Sequence, residues 1–200
     1  MNRALSCLPA ICLLLPLGAN AAYLDTLPVF WKNLYPDGGR TLYCDQAFKP
    51  FDRRINVEHV FPMSGVSREL RCGNREQCRK NSKRFNEIES DMHNLYPARK
   101  DVNKTRGSYP YSMIKGERHE YRGCDFEVDY RSRKVEPRPQ VRGRIARSMM
   151  YMQREYGLDI YGRQQRLLEQ WHRQYPPDEE ERRRNIIIEQ VQGNANPYIR

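Results

Sequence analysis

Residues 54–111 read RINVEHVFPMSGVSRELRCGNREQCRKNSKRFNEIESDMHNLYPARKDVNKTRGSYPY. The stretch opens on a β-branched run, Ile55 to Phe61, that spells a strand ended by Pro62. That strand carries Glu58 beside His59. Ser64 to Leu70 suits a helical turn, and Cys72 to Lys83 reads as a polar loop bearing Arg75, Arg79 and Lys80. Phe85, Ile88, Met92 and Leu95 then recur at helical spacing, predicting a helix over 85–95 that ends before Pro97. His93 and Asn94 fall near its end. Asp101 to Arg106 forms a second short helix or turn, carrying Asn103 and Arg106.

Upstream, Leu24, Leu27, Phe30, Trp31 and Leu34 predict a packing helix over 23–35, stopped by Pro36-Asp37-Gly38-Gly39. Thr41 to Cys44 is a short strand candidate. Downstream, Gly107 to Gly123 is the poorest stretch for regular structure. Cys124 to Tyr130 alternates as a strand with Phe126, Val128 and Tyr130 on one face, and Lys134 to Pro139 reads as a proline-bounded connector. An amphipathic helix follows, with Val141, Ile145, Met149, Met152 and Tyr156 on one face and Gly157 at its end. Another covers Arg163 to Tyr175 with Leu167, Leu168 and Trp171 inward. A last helix starts near Asp178, where an acidic first turn suits the positive helix end; Ile187, Ile188 and Val191 face inward and Gly193 stops it. The pattern predicts one α+β domain, mostly helical, with a short antiparallel sheet.

The totals fit a folded chain with a modest core. Hydrophobic residues make up 38% of 200 and mean hydropathy is -0.91, but 13 Tyr, 6 Phe and 2 Trp supply large buriable surfaces. A formal charge of +10 points to a polyanionic partner. Arg3, the apolar run Leu8 to Leu17 and the small-x-small Ala19-Asn20-Ala21 predict a signal peptide over 1–21, with a mature domain over 22–200 exported to the periplasm or beyond. The run is too short to span a bilayer as a helix, and no later segment is apolar enough, so no membrane partner is expected. Cys7 and Cys12 leave with the leader. The remaining Cys44, Cys72, Cys78 and Cys124 suggest two disulfides, with Cys72–Cys78 and Cys44–Cys124 preferred among three pairings. A cysteine–histidine metal site is the rival, although the Cys-x-x-Cys knuckle of zinc sites is missing.

Phosphodiester cleavage needs a base for water, a cation for the developing charge and a positive group for the phosphate. Glu58 and Asn103 offer hard oxygen donors for one cation. His59 offers a base, and Arg75 a bidentate phosphate fork. His93, Asn94 and Arg106 read as supporting residues. Each has a plainer reading as a solvent-facing acid, a structural histidine, a helix cap or a solvated charge.

The ordered segments Val57-Glu58-His59-Val60-Phe61-Pro62, Asp91-Met92-His93-Asn94-Leu95-Tyr96-Pro97 and Val102-Asn103-x-x-Arg106 resemble the motifs of the bacterial endonuclease I family. The likeness continues through Arg142-Gly143-Arg144-Ile145-Ala146-Arg147 and Glu155-Tyr156-Gly157 to Gly193-Asn194-x-Asn196-Pro197. It implies a ββα-metal (His-Me finger) core and a non-specific endonuclease, periplasmic or secreted, acting on DNA and in an alternative on RNA. By the same resemblance His59 is the general base, Glu58 and Asn103 hold one Mg²⁺, Arg75 steadies the cleaved phosphate, and the products carry 5′-phosphate and 3′-hydroxyl ends. The family pattern departs at Lys104-Thr105, where Gly-Asp is frequent. A monomer is expected. The alternative is a secreted basic protein that binds nucleic acid or another polyanion without cutting it.

Overall fold

The computed structural model describes residues 23–116 and 120–200. The expected leader, 1–21, lies outside them. Among the described residues no helix is long and apolar enough to cross a membrane. Among the described residues the architecture is α+β, with helices predominating over three small antiparallel ribbons.

Helix α1 (Tyr23–Leu34) forms where its periodicity predicts, but its inward stripe is Tyr23, Thr26, Phe30 and Leu34. Leu24, expected inside, is exposed, because the neighbouring Tyr23 ring holds the inward position. Thr41–Cys44 is not a strand. Strands β1 (Gly39–Arg40) and β2 (Ala47–Phe48) pair on either side of it, and the intervening turn is closed by Thr41 Oγ1 accepting from the Gln46 amide and by Asp45 at φ 53°.

Strand β3 (Ile55–His59) leads through Pro62 into α2 (Met63–Glu69). The stretch read as a polar loop holds a helix, α3 (Arg75–Asn81). Its start is a reciprocal capping box between Asn74 and Gln77, a local signal that the density of charge concealed. The helix expected over 85–95 is three elements: α4 (Lys83–Ser90), a 3₁₀ turn (Met92–Asn94) and strand β4 (Leu95–Arg99). It breaks at Asp91, whose extended backbone caps the 3₁₀ turn, while its carboxylate accepts from Tyr151, Tyr156 and Gln192. Those tertiary bonds outweigh the continuation of a helical period.

β4 runs antiparallel to β3, from Ile55 opposite Arg99 to His59 opposite Leu95. Pro97 is tolerated because its carbonyl points away from β3 and accepts from the Leu42 amide, so its missing N–H lies on that same outer side. Helix α5 (Lys100–Arg106) follows at once and packs on both strands. Beyond it, β5 (Phe126–Asp129) pairs with β6 (Lys134–Pro137), which occupies the expected connector; Val135 is buried there and Arg133 takes φ 53° in the tight turn. Tyr130, expected inside with Phe126 and Val128, is exposed beyond the end of β5.

Helices α6 (Pro139–Tyr156), α7 (Gly162–Gln174) and α8 (Glu179–Gln192) form the second half. Gly157 and Gly193 end α6 and α8 in the left-handed conformation, and Asp178 caps α8. Gly143 lies so close to the Tyr175 carbonyl that any Cβ would force the chains apart. The main core gathers Val60, Phe85, Ile88, Tyr96, Val102, Phe126, Ile145, Met149, Met152 and Trp171. A second cluster joins α1 to β2 and α8 through Phe30, Leu34, Phe48, Met92, Leu95 and Ile188. Among the described residues there are two disulfides. Cys44–Cys124 ties the β1–β2 turn to the approach to β5, and Cys72–Cys78 brackets the start of α3.

Candidate active site

Between β3, α2, α3 and α5 lies an open cleft of about 750 Å³. Glu58, His59, Arg75 and Asn103 all line it, with Asn56, Arg68 and Lys104. Neighbours on a regular strand face opposite ways. Glu58 and His59 both reach the cleft because the strand ends at His59 and the chain turns away through Pro62.

His59 is 8% exposed. Its Nε2 sits 2.9 Å from the backbone carbonyl of Glu89. A carbonyl only accepts, so Nε2 carries the proton and Nδ1 keeps the lone pair. Burial, reinforced by the Arg75 charge, pushes the imidazole down to about 3, against the pull of the Glu89 carbonyl. The ring is therefore a neutral base of fixed tautomer. Tyr23 covers it at a centroid distance of 5.0 Å.

Glu58 is almost fully buried. The Tyr43 hydroxyl donates to its Oε1 at 2.7 Å, and Arg106 Nη1 lies 3.2 Å away. Since Tyr43 gives its proton to Glu58, Tyr111 donates to Tyr43 at 2.6 Å. Burial pushes the Glu58 carboxyl above its ordinary range, while Arg106 and Tyr43 pull it back. An additional cation in the cleft would offset that desolvation. Asn103 is oriented by its own amide: Nδ2 donates to Asn56 Oδ1 at 3.0 Å and to the Val57 carbonyl at 3.2 Å. Its Oδ1 consequently faces away from those acceptors, and no described residue donates to it. A carboxylate and an amide oxygen on one wall are donors for a hard cation. Among the described residues no group of three or more His, Cys, Asp or Glu forms a closed metal cage. The set thus fits a hard cation that keeps most of its water.

Arg75 is the first residue of α3 rather than part of a loop. Its Nε meets Glu89 Oε1 at 2.5 Å, and Arg79 adds bonds of 2.7 and 2.9 Å to the same carboxylate. Glu89 is fully buried, whereas the Arg75 side chain is 46% exposed. Glu89 thus fixes the base with its carbonyl and the Arg75 fork with its side chain.

The other expected residues lie behind the cleft. Asn94 brackets Phe61, accepting from its amide at 2.6 Å and donating to its carbonyl at 3.0 Å. Arg106 is buried, donating to the carbonyls of His59 and Val60 at 3.1 and 2.5 Å. His93 is turned from the site, with Nε2 on the Asn194 carbonyl and its ring against Tyr151. Reasoning from sequence missed Glu89, Tyr43 and Tyr23. The partners 59–89, 43–58 and 23–59 are far apart in the chain, and no local spacing announces them.

Residues 37–200 match the family model described as Endonuclease I. The chain is 43% identical over 172 residues to an extracellular deoxyribonuclease of Aeromonas hydrophila, covering 84% of this chain and 75% of that one. It is 40% identical over 172 residues to a periplasmic deoxyribonuclease of the same organism, at 84% and 72% coverage. An extracellular ribonuclease of Bacillus subtilis is 34% identical over 129 residues, covering 55% of this chain and 43% of that protein.

Proposed function

This chain belongs to the endonuclease I family, and on that premise we propose that its cleft hydrolyses phosphodiester bonds with one divalent ion held by Glu58 and Asn103. The chain is a nuclease of nucleic acids, periplasmic or extracellular as its relatives are. The observation that carries the mechanism is the joint lining of one cleft by Glu58, His59, Arg75 and Asn103, with His59 locked as a base by the Glu89 carbonyl.

His59 Nδ1 takes a proton from the attacking water, and the imidazolium that forms keeps its Nε2–H bond to Glu89. Arg75 holds the scissile phosphate, its fork prevented from collapsing onto the base by Glu89. Arg106 fixes the backbone of His59 and Val60, so the base is placed from behind. When bound, the ion supplies Lewis-acid stabilisation of the charge on phosphorus oxygens and leaving group. Glu58 and Asn103 orient it, and the family likeness favours Mg²⁺, with β3, β4 and α5 as the ββα-metal core. The water oxygen bonds to phosphorus as the P–O3′ bond breaks, and the departing 3′ oxygen takes a proton from a second water, leaving 5′-phosphate and 3′-hydroxyl ends. Arg68 and Lys104 beside the cleft neutralise flanking phosphates, contacts that carry no sequence information. We infer DNA as the main substrate with little sequence preference. Residues 1–21 act as the export signal and leave a nuclease domain over 22–200.

Supercoiled plasmid incubated with the mature protein tests this. Nicking and linearisation should appear with Mg²⁺, stop with EDTA, and leave termini that a ligase can seal. Cutting that persists in EDTA would remove the ion from the mechanism.

A further inference from the structure

The loop between β2 and β3 carries an unexplained residue. Phe51 is 99% exposed and sits at φ 65°. A bulky side chain in the left-handed region is a genuine outlier, and a fully solvated ring gains nothing from folding. The backbone is that of a turn, with Pro50 in second place and the Asp52 amide donating to the Lys49 carbonyl at 3.2 Å; the turn does not explain why a large ring stands in solvent at its third position.

The surroundings specify the partner. Lys49 and Arg53 flank Phe51, and neither forms an ion pair with a described residue. Arg54 is held by Asp52 through bonds of 3.0 and 2.7 Å, while its carbonyl accepts from the Lys100 amide at 2.9 Å. The loop is thus pinned to the first residue of α5, with Lys100 adding a further cation. It runs directly into Asn56, which lines the cleft. Phe51 and Asn56 are five positions apart in the chain, a reach of at most about 18 Å. At 3.4 Å of rise per nucleotide on a strand, that is within roughly five nucleotides of the cleft edge.

We propose that Phe51 is a base-stacking post for the nucleic-acid strand leaving the cleft past Asn56, with Lys49, Arg53 and Lys100 on the neighbouring phosphates. An aromatic face interleaved with cations is the pattern by which single strands are held without sequence preference. The substrate class it favours is nucleic acid with unpaired bases. One ring with no second exposed aromatic in its loop offers little area for anchoring to a lipid surface. The proposal rests on the nuclease reading and assigns that site a second contact.

The test uses full-length mature protein in EDTA with single-stranded oligo-dT and a duplex of equal length. Phe51→Ala should weaken oligo-dT binding roughly tenfold and duplex binding less. Phe51→Trp should restore binding, and its indole emission should fall on oligo-dT, beyond the change shown by wild-type Trp31 and Trp171. With Mg²⁺, Phe51→Ala should raise KM on single strands and leave kcat nearly unchanged. Oligo-dT binding by Phe51→Ala at wild-type affinity, with Phe51→Trp emission unmoved, overturns the proposal while wild-type cutting leaves the nuclease reading standing. Loss of binding to anionic phospholipid vesicles with DNA binding intact overturns it in favour of a membrane contact. Wild-type protein that neither binds nor cuts DNA overturns both.

Discussion

Buried charge is handled in opposite ways in the two halves of the molecule. Across α6 and α8, Arg147 and Glu181 are both 1% exposed and meet in a bidentate pair at 2.6 and 2.6 Å, and Arg147 Nη1 closes on the Tyr175 carbonyl. Within this pair each charge faces its opposite. Around β3, Glu58 and His59 are buried almost as deeply but keep one side toward an open cleft. Arg106 and Tyr43 satisfy only part of Glu58, and the Glu89 carbonyl satisfies only one nitrogen of His59. A closed pair staples helices together, whereas an incompletely satisfied set stands ready for a ligand. Buried ionisable groups therefore mark a site only where their partners are incomplete.

Substitutions in the two halves separate activity from stability. The largest effect belongs to His59→Ala, which should lower kcat by about 10²–10⁴ while thermal melting and DNA affinity stay near wild type. Near wild-type plasmid cleavage by that variant would return His59 to the class of packed histidines. Next comes Glu181→Ala, which strands the Arg147 charge and should cost about 3–5 kcal/mol of stability. Calorimetry should show a drop of roughly 10 °C, with kcat of the folded fraction unchanged; lost kcat would mean that the helical half shapes the cleft.

Glu89→Gln probes the border between the two behaviours. The backbone carbonyl still orients His59, but the grip on Arg75 and Arg79 weakens. Activity should fall by about tenfold, the lower end for a supporting partner, and mainly through KM, because Arg75 holds phosphate rather than moving protons. A pure kcat loss would place Glu89 on the base instead. The smallest effect concerns the exposed loop. Phe51→Gly relieves a left-handed strain of about 1–2 kcal/mol against a glycine entropy term of about 0.5–1 kcal/mol. The melting midpoint should therefore rise by about 1–3 °C. A fall would show that the Phe51 ring supports the fold.

The sequence made the second half of the fold readable and blurred the first. α6 keeps one apolar period from end to end, α7 and α8 carry theirs over Leu167–Trp171 and Ile187–Val191, and Gly157, Gly193 and Asp178 mark helix ends by chemistry local to the backbone. The 85–95 stretch carries an equally good period and is nonetheless a helix, a 3₁₀ turn and a strand, because Asp91 answers to Tyr151, Tyr156 and Gln192 more than 50 residues away. At the Cys72–Lys83 stretch the capping box was present in the letters, yet the run of polar residues lacks the apolar stripe by which helices are recognised. In the candidate site, Glu58, His59 and Asn103 were legible from residue type and motif order. Glu89 was not, since an acid on a helix normally faces water and only packing shows this one to be fully buried.

The letters alone determined the secondary-structure alphabet of the helical half, the basic charge, the cysteine count and the set of groups able to serve a phosphodiester. These depend on neighbours within a few residues, where backbone preference and side-chain chemistry act directly. Only the folded chain decided which nitrogen of His59 is free, which carboxylate steers Arg75, and that Asn103 shares a wall with Glu58. Those outcomes depend on side-chain directions, and a direction is set by the packing of segments 14 to 47 residues apart in the chain, a separation over which no local preference of the backbone persists.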